Sequence, residues 1–277
     1  MISDQAAYHI RQKGDLSYLT FSHLERYKNI RHGFSTRLGG VSEGIFASLN
    51  LAFNRDDEVE NVSENFRRFC LALEVNYDNL VFTDQKHEDK IRVVTAKDKG
   101  KGIVHPRDYQ CIDALITNIP GIPLTAFFAD CVPLFFFDPI KNAVGVAHAG
   151  WRGTLLGIGA KTIAALTKQY GSDPKDILAG IGPSIGPCCY EVGIDVANQF
   201  ASAGFAQKGC LKPKESGLII LDLPQANRNI LLDAGLKDEN IVIADICTKC
   251  HKDIFFSHRG HEGKRGAMAA IIALKGE

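Results

Sequence analysis

Apolar residues recur along the chain with two different periods. In "NVSENFRRFCLALEV", residues 61–75, Phe66, Phe69, Cys70 and Leu73 fall three and four positions apart, one face of a helix. "TLLGIGAKTIAALTKQYG" predicts a second helix over 154–171, ended by Gly171 as C-cap. "DLPQANRNILLDAGL" predicts a third. Between these lie short β-rich runs: "NLVFTDQ", "IRVVTA", "CIDALIT", "PLTAFFADCVPLFFF", "NAVGVAHA", "ILAGIGP", "GLIILDL" and "NIVIADI". "AMAAIIAL" fits strand or helix. Runs such as "LFFF" and "AVGVA" are apolar on both faces, as expected of sheets covered on both sides. No repeat, low-complexity tract or Pro/Gly/Ser linker divides residues 1–277. The order of strands and helices is too irregular for a doubly wound sheet. The pattern predicts a mixed α/β protein with one compact body.

One strand candidate breaks its own pattern. "FFADCVPLFFFDP" sets Asp130 and Cys131 inside a run of phenylalanines. A buried thiol is ordinary, but a carboxylate in an apolar run is costly without partners. The run is followed by "DPIKN", which is turn chemistry, and then by "AVGVAHAGWRG". A turn centred between Pro139 and Ile140 would set Cys131 directly opposite His148, with Cβ atoms about 4.5–5.5 Å apart. That separation suits two ligands of one zinc ion, or equally a Cys–His nucleophile pair. Pro133 is a competing signal, since proline removes a ladder bond and can shift the register. The turn "AGWRGT" opens a helix, and its Arg152 could hold a phosphate. Catalytic zinc usually has three protein ligands, and His87 in "FTDQKHEDK" is the candidate third. A solvent-exposed loop histidine is the plainer reading of the same residue, and spacing does not choose between them.

Composition narrows the function. The chain has 277 residues, of which 45% are hydrophobic, with Lys plus Arg and Asp plus Glu at 32 each. Without a basic excess nothing argues for nucleic acid, so a small-molecule substrate is expected. The N-terminal segment shows no secretory h-region, and no uncharged apolar run reaches the roughly 18 residues of a membrane span. Eight cysteines are too sparse for a disulfide scaffold, so reduced thiols and a cytoplasmic location are expected. "CTKCH", residues 247–251, has zinc-like spacing but lacks a second CxxC or HxxxH, and is read as reduced thiols. Cys188 and Cys189 are adjacent, which disfavours a disulfide between them.

The ordered blocks "HGFSTRLGGVSEGIFASLNL", "DQKH", "DALIT", "ADCVPL", "VGVAHAGWRGT", "GIGPSIGPCCYEV", "DLPQANRNILLDAGL" and "CTKCHKDIFFSHR" cover nearly the whole chain. Through them the chain resembles the laccase-domain family, long labelled multicopper polyphenol oxidase and now read as zinc-dependent purine nucleoside phosphorylases. The resemblance implies a single α+β domain, a compact four-layer α/β/β/α sandwich of mixed sheets. It implies zinc held by His87, Cys131 and His148, with copper a candidate in vitro. It also implies phosphorolysis of adenosine, inosine and S-methyl-5'-thioadenosine, with adenosine deamination at the same site, in a homodimer. Around His87 the family usually has Gln-Val-His followed by Gly or Ser, so Lys86 and Glu88 depart from it. Asp130 is the candidate proton shuttle, Arg37, Arg152 and Arg259 are candidate phosphate donors, and Asn50 is a candidate ribose or base contact. Three alternatives stand beside this: a copper-dependent polyphenol oxidase, a metal-free cysteine hydrolase using Cys131 and His148, and a non-catalytic thiol sensor. Nine histidines without a His-x-His pair are few for several coppers.

Overall fold

A computed structural model describes residues 7–205, 207–214 and 217–276. The first six residues, which belong to the N-terminal segment read above, lie outside it. In chain order the strands are β1 (Tyr8–Lys13), β2 (Leu16–Phe21), β3 (Ile30–Ser35), β4 (Val81–Phe82), β5 (Ile91–Val93), β6 (Ala114–Thr117), β7 (Leu124–Phe128) and β8 (Val132–Asp138). They continue with β9 (Ala143–Ala149), β10 (Leu178–Ile181), β11 (Glu191–Val192), β12 (Leu211–Pro213), β13 (Ile219–Leu221), β14 (Ile241–Ile243) and β15 (Met268–Leu274). The α-helices are α1 (Ser22–Glu25), α2 (Val59–Leu73), α3 (Trp151–Leu155), α4 (Ile158–Tyr170), α5 (Ile194–Ser202) and α6 (Leu223–Asp233).

Two six-stranded mixed sheets stack face to face. The first has the order β1-β2-β3-β15-β7-β4 and the second β14-β10-β8-β9-β6-β5, with β11-β13-β12 forming a small third sheet. Packing explains the layers. The helical stripe of α2 buries Phe66, Phe69, Cys70 and Leu73 against one face of the first sheet. Phe21, Phe34, Phe128, Phe135 and Phe137 fill the space between the sheets. Leu134, Phe136 and Ala147 face the other way, onto Ile163 and Leu166 of α4 and Leu231 of α6. The expected α/β/β/α sandwich follows directly. Strands β8 and β9 are buried along their whole length because each face meets a different layer. Gly180 lets the sheets close: a Cβ there would lie 2.5 Å from the Phe21 ring.

Three local expectations are corrected. The run 123–137 is not one strand but two, β7 and β8, and they belong to different sheets. Asp130, with φ +85, turns the chain from one sheet into the other. The predicted helix 154–171 is also divided, because Gly157 adopts a left-handed conformation between α3 and α4; Gly171 caps α4 as read, again left-handed. The hairpin register is the third correction. Pro133, not Cys131, faces His148, since the loop holds four residues, Pro139 to Asn142. Asp138 Oδ1 accepts the Ile140 and Lys141 N–H groups at 2.8 and 3.0 Å, which shapes that loop. A slip of two positions keeps every side chain on its predicted face, because strands alternate with period two. Cys131 therefore remains on the side of His148 while sitting just before β8.

Candidate metal centre and active site

Three separate segments bring His87, Cys131 and His148 together. His148 comes from β9, Cys131 from the crossover between the sheets, and His87 from the loop between β4 and β5. Their ligand atoms all lie within 4.8 Å of one another, and Cys131 Sγ is 3.8 Å from His87 Nε2. A tetrahedral ion with bonds of about 2.3 Å to sulfur and 2.0 Å to nitrogen would set those atoms roughly 3.5 Å apart. The donor set fits a single zinc-sized ion with one position open. It fits the His₂Cys set of a mononuclear copper site equally well, so ligands alone do not name the metal.

The residue that organises the site escaped the sequence reading. Asp113, fully buried just before β6, accepts the backbone N–H groups of Lys86, His87 and Glu88 at 3.0, 3.1 and 3.0 Å. Three successive amides converging on one carboxylate form a nest, and His87 takes φ +62 within it. The same carboxylate bonds His148 Nδ1 at 2.8 Å, which leaves Nε2 as the ligand atom. One buried acid thus fixes two of the three candidate ligands. Its available signal was an aspartate inside the apolar run "CIDALIT". Lys86 and Glu88 contribute through backbone amides that almost any residue could supply, and the Glu88 side chain pairs with Lys90 outside.

Electrostatics among the protein groups of the site favour charge separation. Burial pushes the Cys131 thiol up, but the nearby His148 and His87 rings outweigh it and hold the thiol at about 6. Burial pulls His148 down, yet the Cys131 sulfur and the Asp113 carboxylate raise it to about 9. Asp113 itself is driven up by burial and brought below the usual carboxylate range by His148 and the loop amides. The thiolate is the form a metal binds. Gly150 is a steric condition of the site: a Cβ there would lie 2.6 Å from His87 Cδ2 and 3.2 Å from Cys131 Sγ.

The other expected site residues divide into two groups. Arg37 donates to the Ala47 and Lys252 carbonyls at 2.8 and 3.0 Å, contacts His261 Nε2 at 2.9 Å and covers the Phe256 ring. Asn50 is fully buried, with Nδ2 on Asp57 at 2.8 Å and Oδ1 accepting the Ala52 and Ala267 amides. Asn50 is an internal strut, and the half-buried Arg37 ties loops together nearer the surface. Asp130 also has both oxygens engaged, accepting Thr248 Oγ1 and the Arg259 N–H at 2.7 Å each. Arg259 stacks over Tyr190 and donates to the Glu191 carbonyl at 3.1 Å, and the exposed Arg152 lies over Trp151. Tyr190 is within electrostatic reach of Cys131, Arg259, Asp130 and Arg152, and burial raises it to about 12. Arg265, also missed in the sequence, feels the charges of Asp130 and Cys131 and carries a buried Nε without a hydrogen-bond partner among the described residues. A cavity of about 490 Å³ lies elsewhere, at Arg11, Glu25, Arg31 and Glu74, whose charges pair with one another. It lacks the convergent ligand chemistry of the His/Cys/His site.

This fold and this ligand set define a laccase-domain protein. Residues 31–275 match the family described as multi-copper polyphenol oxidoreductase laccase, and the chain belongs to that family. It is 38% identical over 252 residues to the purine nucleoside phosphorylase YlmD of Bacillus subtilis, covering 90% of each chain. It is 34% identical to a purine nucleoside phosphorylase of Bacteroides thetaiotaomicron, over 94% of this chain and 97% of that one. The crystal structure of YlmD from Geobacillus stearothermophilus superposes with a TM-score of 0.87 at 33% identity, covering 96% of this chain and 99% of that one. Among the described residues, no helix is long and apolar enough to cross a membrane.

Proposed function

We propose that the protein is a purine nucleoside phosphorylase acting on adenosine, inosine and S-methyl-5'-thioadenosine, with adenosine deamination at the same centre. The single observation that carries this is the His87/Cys131/His148 set, buttressed by Asp113 and flanked by Arg152, Arg259 and Arg265. Relatives named purine nucleoside phosphorylase across 90% or more of this chain supply the substrate class.

Bound zinc supplies Lewis-acid polarisation and a water of lowered pKa. The chain supplies the rest. Asp113 holds His148 and the His87 loop, so the ligands are oriented before substrate arrives. Phosphate is taken by the guanidinium groups of Arg152, Arg259 and Arg265. Tyr190 stays protonated at neutral pH and can donate a hydrogen bond to the purine or ribose. Asp130 acts by anchoring the wall rather than by shuttling a proton, because both its oxygens are bonded within it. The protein works in the cytoplasm as a homodimer in this reading, and its eight free cysteines suit a reducing compartment.

The test is a product assay on adenosine with metal-quantified protein. Adenine formed only with phosphate supports phosphorolysis, and inosine formed without it supports deamination. A blue-coloured protein that oxidises phenols and releases no purine would favour the copper oxidase, whose His₂Cys set is the same. Turnover by metal-free protein would favour the cysteine hydrolase.

A further inference from the structure

A second set of ligands lies outside that centre. Cys188 and Cys189 sit in the loop after β10, and Cys247 and Cys250 in the loop after β14. Their four sulfur atoms lie within 4.8 Å of one another. Cys250 Sγ is 3.5 Å from both Cys188 Sγ and Cys189 Sγ. In a tetrahedral zinc tetrathiolate with bonds of about 2.3 Å, sulfurs are roughly 3.75 Å apart. A disulfide would bring one pair to about 2.05 Å, and all four thiols are free. An iron–sulfur cluster, with its own bridging sulfides, would hold the thiolates further apart.

The surrounding backbone is shaped for the same purpose. Cys247 Sγ accepts the Gly186 N–H at 3.3 Å. Such a bond favours the thiolate form. Gly186 allows the approach of the two loops, since a Cβ there would lie 3.2 Å from Cys247 Cβ and 3.5 Å from Cys188 Sγ. Four thiols alone are poor partners for one another, because S–H is a weak donor and sulfur a weak acceptor. A divalent, thiophilic cation resolves that.

We propose that Cys188, Cys189, Cys247 and Cys250 bind a structural zinc ion, separate from the His87/Cys131/His148 centre. Four thiolates close the coordination sphere, so this ion has no open position for substrate. Its role is to staple the two loops that wall the active site. Ser184 and Cys247 form a β-bridge, Thr248 N–H donates to the Ser184 carbonyl at 2.9 Å, and Ile185 N–H donates to the Asp130 carbonyl at 2.9 Å. Thr248 then reaches Asp130, the neighbour of Cys131. The stapled loops also carry Tyr190 and Arg259.

The experiment uses the full-length Cys131→Ala variant, in which the first centre is disabled, purified under reducing conditions. Elemental analysis should find about one zinc per chain, and Cys188→Ser with Cys250→Ser added should remove it. Cobalt-exchanged Cys131→Ala should show the intense sulfur-to-cobalt charge-transfer bands of an all-thiolate tetrahedral site. This spectrum is informative even if the serine variant fails to fold. Cys131→Ala that holds no zinc and gives no cobalt–thiolate spectrum would overturn the proposal. So would zinc retained undiminished after both serine substitutions, or a mass two hydrogens light that marks a disulfide.

Discussion

The two cysteine-bearing clusters are linked through Asp130, yet they are held in opposite ways. The His87/Cys131/His148 set takes one ligand from a central strand and is locked from behind by a buried carboxylate. The four-cysteine set lies wholly on loops, and its support is the Gly186 N–H on the Cys247 sulfur. Mixed donors with one open position suit chemistry, and four sulfurs suit structure. With metal held at both sets as proposed, the difference teaches that a reactive centre needs its ligands aimed, whereas a closed one needs them only gathered. An acid such as Asp113 does the aiming.

The largest expected effect comes from removing a ligand of the reactive set. Cys131→Ala should lower phosphorolysis by more than about 100-fold, beyond the range for outer contacts, with an unchanged circular dichroism spectrum. A fully active variant with its metal in place would break the comparison. Asp113→Asn should cost about 10–100-fold in affinity for the metal of that centre, read by competition with a chelator. The four-cysteine ion should stay bound. Equal loss at both centres would mean that Asp113 supports the fold rather than the aim.

Arg265→Ala should raise KM for phosphate about tenfold, as expected for one charge-assisted bond. Adenosine deamination, which needs no phosphate, should change little. Equal losses in both reactions would remove Arg265 from the phosphate cradle.

A last expected effect falls on stability rather than activity, and it contrasts His148 with another buried histidine, His32. Burial holds His32 down at about 3, and its Nε2 accepts the Phe21 N–H at 2.8 Å. Its folded pKa lies below the unfolded value near 6.5, so the unfolded chain takes up the proton first. The stability from neutral His32 is therefore present above about 6.5 and lost as pH falls towards 3, at most about 1.4 kcal/mol per pH unit. Urea midpoints of wild type and His32→Gln should converge as pH drops through that window. Parallel curves would show that His32 does not titrate on unfolding.

Local pattern carried much of this fold. The α2 stripe and the Gly171 cap are visible as periodicity and residue type. Sheet membership was less visible, because β7 and β8 are equally apolar and only the left-handed Asp130 between them marks the change of sheet. The hairpin placed Cys131 and His148 on one side despite a register two residues out, since the face depends on parity alone. Asp113 was hidden because its role depends on amides 25 to 27 positions away. The two cysteine pairs were read apart for the same reason, and Cys188 lies 62 positions from Cys250.

The position of β15 bears on how the protein is made. This strand lies between β3 and β7 in the first sheet, yet β3 and β15 stand near opposite ends of the described residues. During synthesis β3 and β7 must wait with unpaired, apolar edges until β15 emerges from the ribosome. Such edges are templates for wrong pairing. Production of this enzyme should therefore respond strongly to holdase chaperones, and a premature stop before Met268 should yield aggregate rather than a smaller working protein.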